Sequence, residues 1–226
     1  MFASTYGMMQ DQTSSIWACL ENMFYGSGMV GILLCLLPVL PFGTSYAAEW
    51  EDNAVRTIVV RSGATVYPVS KLANAFFSGF LMVFCGTAAF ALLVSPFLPL
   101  HIQMVASDPY NLFACNGHPA AGLVLWTVHH SCTGGMMAIC GVWMSTIMPN
   151  RYFGAVMPHV CVFLSSRLAE GLRLPDWMTP AYWVGMIYSA GDIWLTLLVK
   201  VLTTVIVCTV MGIFTVLNVR RRLGHE

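Results

Sequence analysis

Charge is what this sequence has least of. Only 9% of its 226 residues are Asp, Glu, Lys or Arg, where an ordinary soluble domain carries about a quarter. Hydrophobic residues make up 58% and the mean hydropathy is +0.73, so a water-covered surface cannot be assembled from what remains. The few charges also cancel, 10 basic against 10 acidic, which removes the basic excess that a nucleic-acid binder needs. CxxC and Cys/His zinc spacings are missing from a chain that has 8 cysteines, which argues against a structural zinc site. Also missing is the Gly-x-x-x-x-Gly-Lys-Ser/Thr loop, whose amides and lysine cradle nucleotide phosphates. Cys132-Thr133-Gly134-Gly135 is glycine-rich, but it lies in an apolar run and lacks the lysine. At the start there is no basic stretch followed by a short apolar core and a small-residue cleavage site, so no removable signal peptide is expected.

Long apolar runs are what the chain has instead. Crossing a bilayer core takes about 20 mostly apolar residues at about 1.5 Å of rise each. Five stretches meet or approach this, at 23–46, 71–98, 119–147, 154–168 and 191–217. The fourth is short and holds Pro158, so it is expected to kink or to continue irregularly through Leu172. The fold class that follows is all-α: a polytopic integral membrane bundle of about five spans, with residues 1–226 forming a single transmembrane domain. Cys35, Cys85, Cys132, Cys140, Cys161 and Cys208 fall inside the apolar runs, where cysteine behaves as a small hydrophobe. Cys19 and Cys115 fall in predicted loops, and spacing alone does not establish a bond between them.

Position makes the scarce charges informative. Given these spans, Arg56, Arg61, Lys71, Arg151, Arg220, Arg221 and Arg222 fall on one side and only Arg167 and Arg173 on the other. The positive-inside rule makes the first side cytoplasmic. Residues 1–22 then form an outer segment, which contains Asp11 and Glu21 but no Lys or Arg. With an odd number of spans the C-terminus is cytoplasmic, in a multi-pass protein of the cell membrane.

The loop between the first two spans has its own pattern. Trp50, Ala54 and Ile58 recur every fourth residue with Val55 and Val59 beside them, while Glu49, Glu51, Asp52, Arg56 and Arg61 take much of the remaining circumference. That spacing predicts one amphipathic helix over 47–63 at the membrane surface. Acidic residues crowd its first turns and arginines its later ones, as suits a helix macrodipole, and Ser62-Gly63 supplies a stop. A solvated interfacial helix and a docking element for a cytoplasmic partner both fit this pattern.

In this region the chain resembles the permease subunits of type-2 ATP-binding-cassette (ABC) exporters. The residues that carry the likeness are Pro41-Phe42-Gly43-Thr44-Ser45-Tyr46, then Glu49 and Arg56, then Val60-Arg61-Ser62-Gly63 and Tyr67-Pro68-Val69-Ser70-Lys71. The likeness is close over residues 41–71 and elsewhere extends only to topology. It implies a pair of permease subunits served by separate cytoplasmic ATPase subunits, whose closure on ATP reaches the spans through the short cytoplasmic helix. Glu49, Trp50, Glu51, Asp52 and Arg56 would form that ATPase-coupling contact. The permease would bind no cofactor directly, since ATP is used by the partner, and it would not itself be an enzyme. Family members have six spans, and this chain begins in what would be the outer loop after the first. The resemblance also implies that the outer loop 169–190 forms short helices dipping into the outer leaflet.

Ionisable residues inside spans are the remaining candidates. His129 and His130 lie near the middle of the third span, but adjacent helical residues point about 100° apart, so both cannot face one metal ideally. Lys200 in the last span must snorkel, find a carboxylate such as Asp192 or Glu170, or face a wet cavity. His129, His130 and Lys200 are therefore candidate residues of a substrate pathway, with structural hydrogen bonding as the other reading. Gly79, Gly86, Gly134, Gly135 and Gly141 would let helices approach closely. The expected function is an exporter permease surrounded by membrane lipids. Two alternatives stay open: a redox subunit holding haem between His129 or His130 and His159, and a membrane scaffold or immunity protein.

Overall fold

The computed structural model describes residues 15–25, 36–102, 109–175, 178, 182 and 191–224. Regular structure among them is helical throughout: α1 (Ile16–Tyr25), α2 (Ser45–Glu51), α3 (Ala54–Ser62), α4 (Val66–Val94), α5 (Pro109–Cys115), α6 (Pro119–Ile147), α7 (Arg151–Gly171) and α8 (Ile193–Gly224). A 3-10 turn at Leu37–Val39 precedes α2. Two of these helices, α4 and α8, are long and apolar enough to cross a membrane. The helix α6 is equally long at 29 residues, but Thr127, His129, His130 and Ser131 dilute its apolar character, and all four are buried.

Most of the stretches expected as spans are helices, some with shifted ends. The stretch expected at 71–98 is α4, which starts at Val66, and the one expected at 119–147 is α6. The short fourth stretch becomes a full helix of 21 residues with Pro158 inside it. Its start is fixed by Asn150, whose side-chain Oδ1 accepts from the amides of Tyr152 (2.9 Å) and Phe153 (3.2 Å). The expectation for 23–46 fares differently. Residues 26–35 lie outside the described residues, Leu36 is α-helical, and 37–44 forms a 3-10 turn and further turns. Pro38 and Pro41 account for this, because neither can donate a helical hydrogen bond. Of the outer segment 1–22 only its last residues are described, and of the loop 169–190 only 169–175, 178 and 182.

At the centre of the bundle is α6, which packs against α4, α5, α7 and α8. Its crossing with α4 depends on two glycines. A methyl group added to Gly79 would meet the Gly134 carbonyl oxygen at 2.6 Å, and one added to Gly134 would meet the Gly79 oxygen at 2.7 Å. Gly135 is similarly tight against Phe76, whereas Gly86 faces open space and takes no part in a close approach. Leu72, Ala75, Ala138, Ile139 and Val142 fill the layer beside this crossing. One end of the bundle is closed by α1 and α5, where Ile16, Trp17, Leu20, Tyr110 and Trp126 form a core. There α1 also hydrogen-bonds through Ile16 N to Pro99 O (3.0 Å).

Apolar side chains cover much of the exterior, and the largely apolar interior also holds polar groups. Buried positions on α8 include Thr196, Lys200, Thr204 and Thr215, while Leu92 is 73% exposed, Phe77 62% and Ile206 62%.

Candidate functional site

The segment expected as one helix over 47–63 is two helices. Asp52 and Asn53 separate α2 from α3, with Asn53 at φ 55° in the left-handed region. Asparagine tolerates that conformation better than most residues. The turn changes which residues are buried. Val55 and Val59 pack with Tyr46, Tyr67 and Val219, and Trp50 and Ile58 lie against that cluster half-buried.

Four of the expected coupling residues, Glu49, Trp50, Glu51 and Asp52, are tied to three different parts of the bundle. Glu49 accepts from the Tyr67 hydroxyl (2.6 Å) and forms an ion pair with Lys71, which fastens α2 to the start of α4. Glu51 accepts from Arg151 Nε (2.7 Å), and Asp52 lies 3.9 Å from Arg151 Nη2, which fastens the turn to the start of α7. The Trp50 ring stacks on Tyr46 and lies beneath the Arg222 guanidinium (5.2 Å), at the end of α8. Arg222 in turn donates to the Ile147 carbonyl at the end of α6 (2.6 Å). Arg56 borders a cleft of about 380 Å³ together with Trp50, Asn53 and Val55. The turn remains open to solvent, with the Asp52 side chain 70% exposed.

The second group of candidates meets in the bundle core. The Tyr110 hydroxyl and His129 Nδ1 are 2.8 Å apart, joining α5 to α6. His130 Nδ1 donates to the Trp126 carbonyl (3.0 Å), and its ring packs against both Trp126 (4.0 Å) and Phe24 (4.6 Å), which also touch each other. Lys200 is within electrostatic reach of both His130 and Cys132. Thr196 and Thr204 flank Lys200 by one turn each on the same buried face. The Trp126 indole N–H finds no acceptor among the described residues.

His159 is in a different place. Gly154 packs at the level of Gly141 and Ser145, so in the antiparallel α7 the backbone of His159 lies about 12 Å along the axis from that of His130 at about 1.5 Å per residue. Among the described residues no group of three His, Cys, Asp or Glu side chains has metal-binding geometry. Cys19 and Cys115 are both free thiols, and burial pushes the Cys19 thiol above its usual pKa.

Several participants were missed in the sequence. Arg151, Arg222 and Tyr110 serve the two clusters from elements far along the chain, and no local spacing marks them. The exception is the series Thr196, Lys200, Thr204, whose four-residue period is visible in the sequence. Compared with protein-family models, curated proteins and solved structures, the chain matches none.

Proposed function

We propose that this chain is the membrane-embedded permease subunit of a type-2 ABC exporter, moved between conformations by a separate ATPase subunit. Membrane embedding is supported by the apolar exterior of the bundle, with the ionisable His129, His130 and Lys200 held within. In this reading α4, α6, α7 and α8 are four crossings and the stretch 23–46 supplies a fifth. The arginine-rich end then faces the cytoplasm.

The observation that carries the proposal is the fastening of the α2–α3 hairpin. It is tied to the ends of α4, α7 and α8 through Glu49, Glu51 and Trp50, while its turn and the Arg56 cleft stay open. An ATPase that closes on ATP and grips this turn would act on three helix ends at once. Those helices pack against α6, which carries the His129–His130 pair toward the cargo path. Hydrolysis belongs to the partner, because this chain has no phosphate-cradling loop. A second permease subunit would complete the pathway.

The test is co-purification from native membranes in mild detergent. Asp52→Lys combined with Arg56→Glu alters the open side of the hairpin and spares Glu49 and Trp50. The yield of co-purified ATPase is expected to fall at least about tenfold, a change of about 1.4 kcal/mol, with the amount of permease in the membrane unchanged. An ATPase that co-purifies equally with both forms would remove the docking assignment.

A further inference from the structure

Seven basic residues gather at the α2–α3 end of the molecule: Arg56, Arg61, Lys71, Arg151, Arg220, Arg221 and Arg222. They divide by what they touch. Lys71 and Arg151 are ion-paired with Glu49, Glu51 and Asp52, Arg222 covers Trp50, and Arg56 borders the cleft. Arg61, Arg220 and Arg221 are different. All three are exposed, and among the described residues none is ion-paired with a carboxylate. Arg220 Nη2 donates to Thr65 Oγ1 (2.5 Å), a neutral partner that positions the guanidinium without cancelling its charge. Thr65 lies in the turn that follows Arg61, so the same bond draws the end of α3 toward the end of α8.

These arginines border apolar surface. On α8, Ile213 and Leu217 are 55% and 52% exposed, and Arg220 and Arg221 continue their face one turn further on. On α4, Val66 and Val69 are exposed, and Val60 on α3 is 86% exposed. Exposed aliphatic stripes ending in guanidiniums form a two-zone surface that matches an amphiphile with an anionic head.

We propose that Arg61, Arg220 and Arg221, with the aliphatic stripes of α4 and α8 beside them, form a binding site for an anionic phospholipid of the adjoining leaflet. The inference rests on the membrane placement proposed above. The guanidiniums take the headgroup phosphate, and the acyl chains lie along Val69 and Leu217. A choline headgroup is disfavoured because its own cation would stand among the three arginines.

Thermal unfolding of the purified full chain in mild detergent, with phosphatidylglycerol or phosphatidylcholine of the same acyl chains added, tests this. Phosphatidylglycerol is expected to stabilise the chain at far lower concentration than phosphatidylcholine. Replacing Arg61, Arg220 and Arg221 by Gln should weaken that preference by about fivefold per arginine, while Arg56→Gln leaves it intact. Equal response to both lipids, or an undiminished preference in the triple variant, overturns the proposal. So does a shift reproduced by glycerol phosphate alone, which marks a soluble-anion site, or displacement of the lipid by an acidic peptide, which marks a protein-docking patch. Retention in vesicles of both compositions after an alkaline wash is measured in parallel. Loss from both defeats the membrane placement itself, whereas retention in both with no lipid preference defeats only the lipid site.

Discussion

Glu49 shows how much one side chain contributes when it is partly shielded from water. Its two oxygens serve Tyr67 and Lys71, and hydrogen bonds to charged groups contribute about 1.5–3 kcal/mol when buried. Here the carboxylate is 26% exposed, which places the expected cost of Glu49→Ala near the lower end of that range. Asp52, 70% exposed and 3.9 Å from Arg151, resembles the surface pairs that contribute about 0–1 kcal/mol. Unfolding of the two variants in detergent should therefore separate them, with Glu49→Ala melting earlier than Asp52→Ala. Equal midpoints would mean that the Glu49 ties do not hold α2 in place.

At the scale of elements, the α4–α6 crossing is limited by backbone contact. Gly134→Val must push Gly79 away or strain α6, at a cost of about 1–3 kcal/mol for overpacking. Gly86→Val on the same helix α4 meets nothing within 4 Å and should leave stability unchanged. Measuring both melting temperatures checks this, and equal losses would contradict the crossing geometry. The same elements show what could be read in advance. The ends of α6 follow from an apolar run bounded by Pro119 and Pro149, and a strongly periodic stretch between such breakers marks itself. The break at Asn53 is harder to see, because a stripe of Trp50, Ala54 and Ile58 fits an unbroken helix equally well. Only the packing of Val55 and Val59 on Val219 decides between them, and that contact spans more than 150 residues of sequence. For the same reason His129 and His130 could be singled out as buried, while their neighbours Tyr110 and Lys200 could not be assigned to them.

For the molecule as a whole, the charge asymmetry of the sequence becomes a physical polarity. Arg61, Arg151 and Arg220 stand at one end, and Arg167 and Arg173 at the other, near and just past the end of α7. At 1.5 Å per residue α7 is about 32 Å long, comparable with a bilayer core. Single cysteines at Thr57 and Leu172, introduced after accessible native thiols are replaced, should react with an impermeant reagent from opposite faces of sealed vesicles. Reaction of both from one face would overturn the arrangement of spans.

The three fastenings of the α2–α3 hairpin also restrict how it can move. Three attachment points that do not lie on one line define a plane, so a rigid body held by them can tilt but cannot slide freely. A tilt lowers one point as it raises another. Force applied at the Asp52 turn would then drive the feet of α4, α7 and α8 by unequal amounts and in opposed senses, so that the bundle shears about α6 instead of shifting as a block.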